Sequence, residues 1–368
     1  MKIQDIELIP LNIPQTYETR WANGRISVAE HTLIKIIAED GTYGIAEAQP
    51  RTGIYGETQQ SILAVLRRFL IPLIKGIETT NTELLWERMA EVPFNHVAKG
   101  SVDIALHDLN GKLQGVSTAA LLGGPYRTEV PLCWVSGGSW FPKEKIMAET
   151  ERIMAEGYKG IKVKAGHVQQ DIELAKWMRS VAPAGFQIYL DPNQLYSRED
   201  LIRVGRELSG IVDAIEEPVA IWDDVARREF TQHFPDIPLL SDETTFTVPD
   251  AYRQAQLGAI RRMAIKIPRT GFTMSKKLVH LAEMNNMAAQ ISTQAETDLG
   301  CAAGLQMAAS SKQISLPCEI AYYEKGMYPC SMLTEPLVIK NGMMQLPDKP
   351  GNGVEVNWEV VEKYRVDI

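Results

Sequence analysis

The chain has 368 residues, 45% hydrophobic and 23% charged, which is too apolar for a disordered segment and enough for one large fold with a smaller companion. With 38 basic against 46 acidic residues, a net charge of −8 and no basic run interleaved with aromatics, it carries no electrostatic footprint for nucleic acid. Cys133, Cys301, Cys318 and Cys330 make no C-x-x-C pair and have no histidine at zinc spacing, so they read as buried thiols of a reducing compartment. Residues 1–8 alternate charged and apolar side chains, and no run of about 20 apolar residues occurs; a cytoplasmic location without membrane contact is expected.

In chain order, IQDIELIPL alternates with period two, and HTLIKIIAEDGTYGIAEA reads as two further strands joined at Asp40-Gly41, together an antiparallel meander. Helical spacing follows from Glu57 to about Leu121, first through Ile62, Leu66 and Leu70, then through Val102, Leu106, Leu109 and Leu113. Strands followed by helices indicate an α+β unit, which the Gly123-Gly124-Pro125 stop closes.

Short apolar runs then alternate with amphipathic helices: VPLCWVSGG, GIKVKAG, FQIYLDPN, VDAIEEP, IPLLSDE, RMAIKIP, MAAQIST and ISLPCEI. Eight strand-helix units of such even spacing close naturally as a TIM-type (β/α)8 barrel. No G-x-G-x-x-G or P-loop accompanies them, which argues against an open dinucleotide-binding sheet. The expected organisation is an α/β protein with an N-terminal α+β capping domain at 1–125, a barrel at 126–340, and a Gly- and Pro-rich segment at 341–368 that returns to the cap.

In a barrel the C-terminal ends of the strands converge on one face. Here they are polar: Asp191 ends FQIYL, Glu216 ends VDAI, and Asp242 follows PLLS. Any one of them alone could be a helix cap or a surface acid. Three in consecutive units would repel, and burying them unpaired costs several kcal/mol each, so a hard divalent cation such as Mg²⁺ is the economical inference. Lys162 and Lys164 share one side of their strand by the period of two, and Lys266 lies in another apolar strand, separated from theirs by three others. Lysines on opposite sides of a metal suit abstraction of a proton α to a carboxylate, where negative charge develops on the acid oxygens. A basic lysine must be neutral, and Lys162 together with the ion is expected to depress Lys164.

These residues identify a resemblance. K-V-K, D-P-N, I-E-E-P, S-D-E and I-K-I stand in the order and spacing of the enolase superfamily, and the chain resembles its muconate-lactonizing subgroup over nearly its whole length. VDIALHDLNGKLQGV with LLGG is similar to that subgroup's capping-domain signature, and LPDKPGNGVEV to its C-terminal segment. The resemblance implies a modified (β/α)7β barrel, Asp191, Glu216 and Asp242 as Mg²⁺ ligands (rather than Glu217 or Glu243), Lys164 and Lys266 as acid/base residues, Asn193 as a supporting residue, and a homo-oligomer. It leaves the reaction open between racemisation or epimerisation, cycloisomerisation and dehydration of a β-hydroxy acid; a catalytically idle binding barrel is the alternative of another class. The last strand, Leu316-Pro317-Cys318-Glu319-Ile320, lacks the Asp-x-Asp of dipeptide epimerases. Glu319 resembles the corresponding Glu of the lactonizing enzymes, and could instead meet a cationic substrate nitrogen.

Specificity is expected from two segments of the cap. Residues 16–24 form a polar, aromatic loop able to fold over a ligand, and residues 51–57 place Tyr55 between glycines. Tyr17, Trp21 and Tyr55 could wall or cage an amine, or be exposed aromatics resting on the rim. Gln294 and Glu296, just beyond the seventh strand, complete the substrate-facing set. The ligand class is a small carboxylate, with a cyclic imino acid or a betaine as the leading form.

Overall fold

The computed structural model describes the chain except Ala22, Asn23, Tyr322, Tyr323 and Lys325 and the side chains of Thr19, Arg20 and Trp21. Strands β1 (Ile3–Trp21), β2 (Gly24–Ala38) and β3 (Tyr43–Ala48) form an antiparallel sheet in that order. The β2–β3 turn is built by Asp40, whose Oδ1 accepts the Thr42 amide at 2.9 Å. Residues 16–24 differ from the expected loop. After a register shift between Pro14 and Thr19 the described part of the segment resumes pairing, from Thr19 with Ile26 to Trp21 with Gly24, so residues 16–21 continue the β1–β2 ladder. The Thr16 amide also donates to Met327 O at 2.9 Å, and since none of the described side chains at 16–18 and 24–28 is buried, this stretch leaves no period-two apolar pattern to read. Residues 51–57 likewise contain a helical turn, Thr52–Tyr55, stopped by Gly56 at φ 71°.

Helix α1 (His96–Gln114) is buried continuously from Val97 to Gly111 because it lies between the antiparallel sheet and the barrel, packed on β3 and on a barrel helix. Two of its aspartates act as pins. Asp108 accepts the Ile45 amide at 2.9 Å and the Asn352 amide at 2.7 Å, which ties β3 and the C-terminal segment to one helix. Asp103 makes the corresponding link to the barrel, described below.

The barrel has seven parallel strands paired in chain order: β4 (Cys133–Ser136), β5 (Gly160–Lys164), β6 (Gln187–Asp191), β7 (Ala214–Glu216), β8 (Leu239–Ser241), β9 (Arg262–Ile265) and β10 (Ala288–Ile291). Between them run α2 (Lys143–Ala155), α3 (Val168–Val181), α4 (Arg198–Leu208), α5 (Asp224–His233), α6 (Val248–Leu257) and α7 (Ile267–Met284), followed after β10 by α8 (Asp298–Ser310). Residues 314–320 close the cylinder by bridges rather than by a full strand: Ala289 pairs with Ile314 and Leu132 with Cys318, the Cys133 amide donates to Cys318 O at 2.8 Å, and the Glu319 amide donates to Ile291 O at 2.9 Å. Local sequence supplies the helix starts; Ser197 and Thr247 open α4 and α6 with reciprocal capping boxes.

The pleat sets the level of the chemistry. Cys133, Tyr189, Ala214, Leu240 and Ala264 plug the barrel interior. Two residues further along the last four of those strands lie Asp191, Glu216, Asp242 and Lys266, all facing the mouth. Past the barrel, Met343–Gln345 pairs with Ile339–Lys340 on one side and with Glu129–Pro131 on the other in a small sheet. A terminal helix, Trp358–Tyr364, which the Gly- and Pro-rich tail did not announce, sets Trp358 edge-on to Tyr43 at 6.2 Å. No helix among the described residues is long and apolar enough to cross a membrane.

Candidate active site

The mouth of the barrel holds alternating charges. Lys162 Nζ lies 3.1 Å from both carboxylate oxygens of Glu216 and 2.6 Å from Glu319 Oε2, with Asp191 Oδ2 at 3.6 Å. Lys164 Nζ donates to Asp191 Oδ2 at 2.5 Å and to Asn193 Oδ1 at 2.9 Å. Lys266 bonds Asp242 Oδ2, and Arg269, buried on the first turn of α7, bonds Asp242 Oδ1 at 2.8 Å and its carbonyl oxygen at 2.9 Å. Much of the neutralisation that the sequence ascribed to a metal alone is therefore supplied by the protein's own cations. Arg269 was not found from the sequence, since its place beside Asp242 depends on how α7 leaves β9.

These contacts decide the proton affinities. Burial pushes the Asp242 carboxyl up, but Lys266 and then Arg269 hold it well below the usual carboxylate range; Asp191 is lowered against burial by Lys164 and then Lys162. Glu216 goes the other way, raised by burial and by the nearby Asp191, Glu319 and Asp242 despite Lys162. Lys162 is raised, because Glu216, Glu319 and Asp191 outweigh its burial.

Asp191, Glu216 and Asp242 offer hard oxygen donors on three neighbouring strand ends, each no more than 1% exposed, and they fit a hard divalent cation in donor type and position. Their oxygens point to ammonium and guanidinium groups, and among the described residues no three His, Cys, Asp or Glu side chains converge as a metal cluster. Glu217 differs from Glu216: at φ 37° it turns away from the mouth, and its Oε1 accepts the Asp242 amide at 2.6 Å and the Thr244 amide at 2.8 Å, a loop-building role. Glu243 lines the cavity, and its buried Oε2 has no hydrogen-bond partner. Burial and then the Asp242 carboxylate push its carboxyl up to about 8.

Lys162, Lys164 and Lys266 face one cavity of about 580 Å³, and the strands of Lys164 and Lys266 are separated by β6, β7 and β8. Asn193, left-handed at φ 45°, can both donate its amide to Asp191 Oδ1 at 3.1 Å and receive Lys164, a strained backbone kept at a site of charge. Gly138 closes the first strand's loop on the backbone of Lys164: at φ 56°, a Cβ there would stand 1.8 Å from Lys164 O. A Gly138→Ala variant is expected to fold by circular dichroism yet lose about 100-fold in turnover, because displacing a reacting amine by about 1 Å costs that much; near-normal turnover would show that Lys164 does not depend on this contact.

Of the substrate-facing set, Tyr17 and Gln294 line the cavity. The Tyr55 hydroxyl donates to Gln294 Oε1 at 2.7 Å and its ring meets Phe246 edge-on at 4.9 Å, so Tyr55 clamps the cap to the barrel loop. The Trp21 side chain lies outside the described residues. Glu296 turns into its own loop, accepting the Gln294 amide at 2.8 and 2.9 Å. Glu319 has both oxygens occupied, by Lys162 and by Gln290 Nε2 at 2.8 Å, which leaves it unsuited to hold a substrate cation; barrel closure, invisible locally, gave it those partners.

Glu47 of β3 pins the same loop. It accepts the Thr297 amide at 2.9 Å, the Thr297 hydroxyl and Gln49 Nε2 at 2.7 Å, and lies 3.0 Å from His31 Nδ1. Burial raises its carboxyl, but His31 and these donors win, holding it below its usual 4.5. A lowered folded value means stability that is present above pH 4.5 and lost as the pH falls below it. The urea midpoint of Glu47→Gln should therefore lie below the native one at pH 6, with the gap narrowing by pH 3.5; a constant gap removes this linkage.

A capped barrel with lysines and carboxylates alternating at its mouth is the frame of an enzyme class that includes cycloisomerases, epimerases and racemases. The mandelate racemase/muconate lactonizing enzyme N-terminal domain matches residues 9–123, and the enolase C-terminal domain-like family matches residues 145–360. The chain belongs to this family of the enolase superfamily, whose enzymes are metal-dependent. It is similar to a muconate lactonizing enzyme structure from Mucobacterium smegmatis complexed with muconolactone (31% identity, TM-score 0.94, all of both chains). It is also 31% identical to o-succinylbenzoate synthase of Bacillus subtilis, over 84% of this chain and 81% of that one. N-succinyl-L-Arg/Lys racemase of Bacillus cereus is 26% identical, over 100% and 98%.

Proposed function

We propose that the protein is a Mg²⁺-dependent racemase or epimerase that removes and returns the proton α to a carboxylate, acting on an amino-acid derivative. The observation that carries this reading is the pair Lys164 and Lys266, set on strands with three others between them and facing one cavity. A divalent ion held by Asp191, Glu216 and Asp242 would supply the positive charge that an enediolate needs on its acid oxygens. Lys164, oriented by Asp191 and Asn193, takes the proton from one face of the α-carbon; Lys266, oriented by Asp242, returns one to the other. Tyr55 and Gln294 hold the cap over the reacting carbon and limit the access of water.

A second reading, cycloisomerisation or dehydration using one lysine for the proton, is favoured by the likeness to the lactonizing enzyme and the synthase. The test is incubation in deuterium oxide with Mg²⁺ and a library of carboxylates bearing an α-hydrogen, read by NMR. Deuterium at the α-carbon with inversion, abolished by EDTA and restored by Mg²⁺, is the expected result. Ring closure or loss of water without inversion selects the second reading, and inactivity across the library despite stoichiometric Mg²⁺ binding overturns both.

A further inference from the structure

We propose that Glu243 receives the substrate's α-nitrogen, accepting an N–H or ammonium borne on the carbon next to the acid group. The inference rests on the proton-abstraction reading and deepens it by naming the substrate class: α-amino, imino or N-acylamino acids that keep an N–H. Quaternary betaines, which have none, become the poorer ligands.

Glu243 occupies a singular place among the described residues. A second cavity of about 500 Å³, walled by Ile221, Trp222 and Phe246, adjoins the catalytic one, and Ile54, Asn193 and Glu243 are the residues that line both. A carbon bearing an acid group, a hydrogen, a nitrogen and a side chain has two arms left once the acid and the hydrogen are committed. Two cavities meeting at one carboxylate suit that shape. Asp191, Glu216, Asp242 and Glu319 spend oxygens on Lys162, Lys164, Lys266 and Arg269. Glu217, whose Oε2 is also unpartnered, is turned into its loop and lines neither cavity. Glu243 thus combines an unpartnered, buried oxygen with a side chain that lines the ligand space on both sides. Its charged surroundings are Asp242, Lys266, Glu217, Asp191 and Arg269, and both cations among them are already bonded to Asp242. What this carboxylate lacks is a donor of its own, and the chemistry that satisfies it is a nitrogen carrying hydrogen.

The test compares the Mg²⁺-loaded native protein with Glu243→Gln and Glu243→Ala. Matched α-hydrogen acids are offered, such as L-proline, its N,N-dimethyl betaine, N-acetyl amino acids and the nitrogen-free cyclopentanecarboxylate, with α-deuteration followed by NMR. Mg²⁺ affinity is measured by calorimetry. Preference for N–H acids in the native protein is expected, with about a 10- to 100-fold loss of kcat/KM for protonated amines in Glu243→Gln, the worth of a charge-assisted hydrogen bond. N-Acylamino acids should lose less in Gln than in Ala, since the Gln carbonyl still accepts an amide N–H; nitrogen-free acids should be unmoved, and Mg²⁺ affinity should stay within about twofold. Equal losses for nitrogen-bearing and nitrogen-free acids, no loss for either, a native preference for nitrogen-free acids or betaine, or loss of Mg²⁺ binding overturns the role of Glu243 while proton abstraction stands. Absence of exchange with every acid in the native protein overturns the underlying reading as well.

Discussion

Lys266→Met is expected to abolish inversion at the α-carbon while leaving solvent exchange intact for the enantiomer whose proton faces Lys164. Lys164→Met should show the mirror-image selectivity. A positioned acid or base contributes about 10²- to 10⁴-fold, so loss of either lysine should lower inversion by at least that range. The structure makes the substitution at 266 a clean one: Asp242 keeps Arg269 on its other oxygen and on its carbonyl, so the carboxylate stays in place when the ammonium is removed. Chiral chromatography of the recovered acid, combined with NMR of its α-position, separates inversion from exchange. Full turnover surviving in one of the two variants would mean that a single lysine suffices, as cycloisomerisation or dehydration requires, and the two-amine racemase reading would be withdrawn.

Asp103→Ala is expected to cost about 3–5 kcal/mol of stability, each stranded buried donor being worth about 1–3 kcal/mol with part recovered by relaxation. The fully buried carboxylate accepts Trp86 Nε1 at 2.7 Å, the Thr273 hydroxyl at 2.6 Å, and the amides of Phe272 and Thr273 at 2.6 and 2.9 Å. Those amides restart α7 after its break at Gly271, φ 58°, where a Cβ would lie 2.4 Å from Asp103 Oδ2; the glycine permits the close approach and the aspartate caps the helix. Because α1 carries Asp103 and α7 begins just after Lys266, the loss should also loosen the cap over the site. Urea unfolding followed by tryptophan fluorescence measures the cost. A change below about 1 kcal/mol, the size of a single ordinary hydrogen bond, would show that the four contacts do not act together.

What could be read before folding was what depends on neighbours along the chain. Period-two parity put Lys162 and Lys164 on one side of β5, even spacing set the strands in barrel order, and apolar runs ending in Asp191, Glu216 and Asp242 marked the polar mouth. The meander was legible for the same reason, since its alternation and the Asp40-Gly41 turn lie within neighbouring residues of the chain. The strand continuation at 16–21 was not, since its described side chains at 16–18 are not buried and select no apolar pattern, and the tail helix Trp358–Tyr364 was hidden behind glycine and proline.

The closure of the cylinder settled the rest. It brought Glu319 round to Lys162, gave Asp242 two cations, turned Glu217 into a loop brace and left Glu243 at the meeting of two cavities. It also made Glu47, Asp103 and Asp108 pins between units 169 to 250 residues apart in part of their contacts. The sequence by itself determined which side chains reach the mouth, because facing is a property of local backbone geometry. Only the tertiary structure decided which charge neutralises which, because Coulomb and hydrogen-bond partners are chosen by distance in space, and residues on different strands acquire that distance only when the barrel closes.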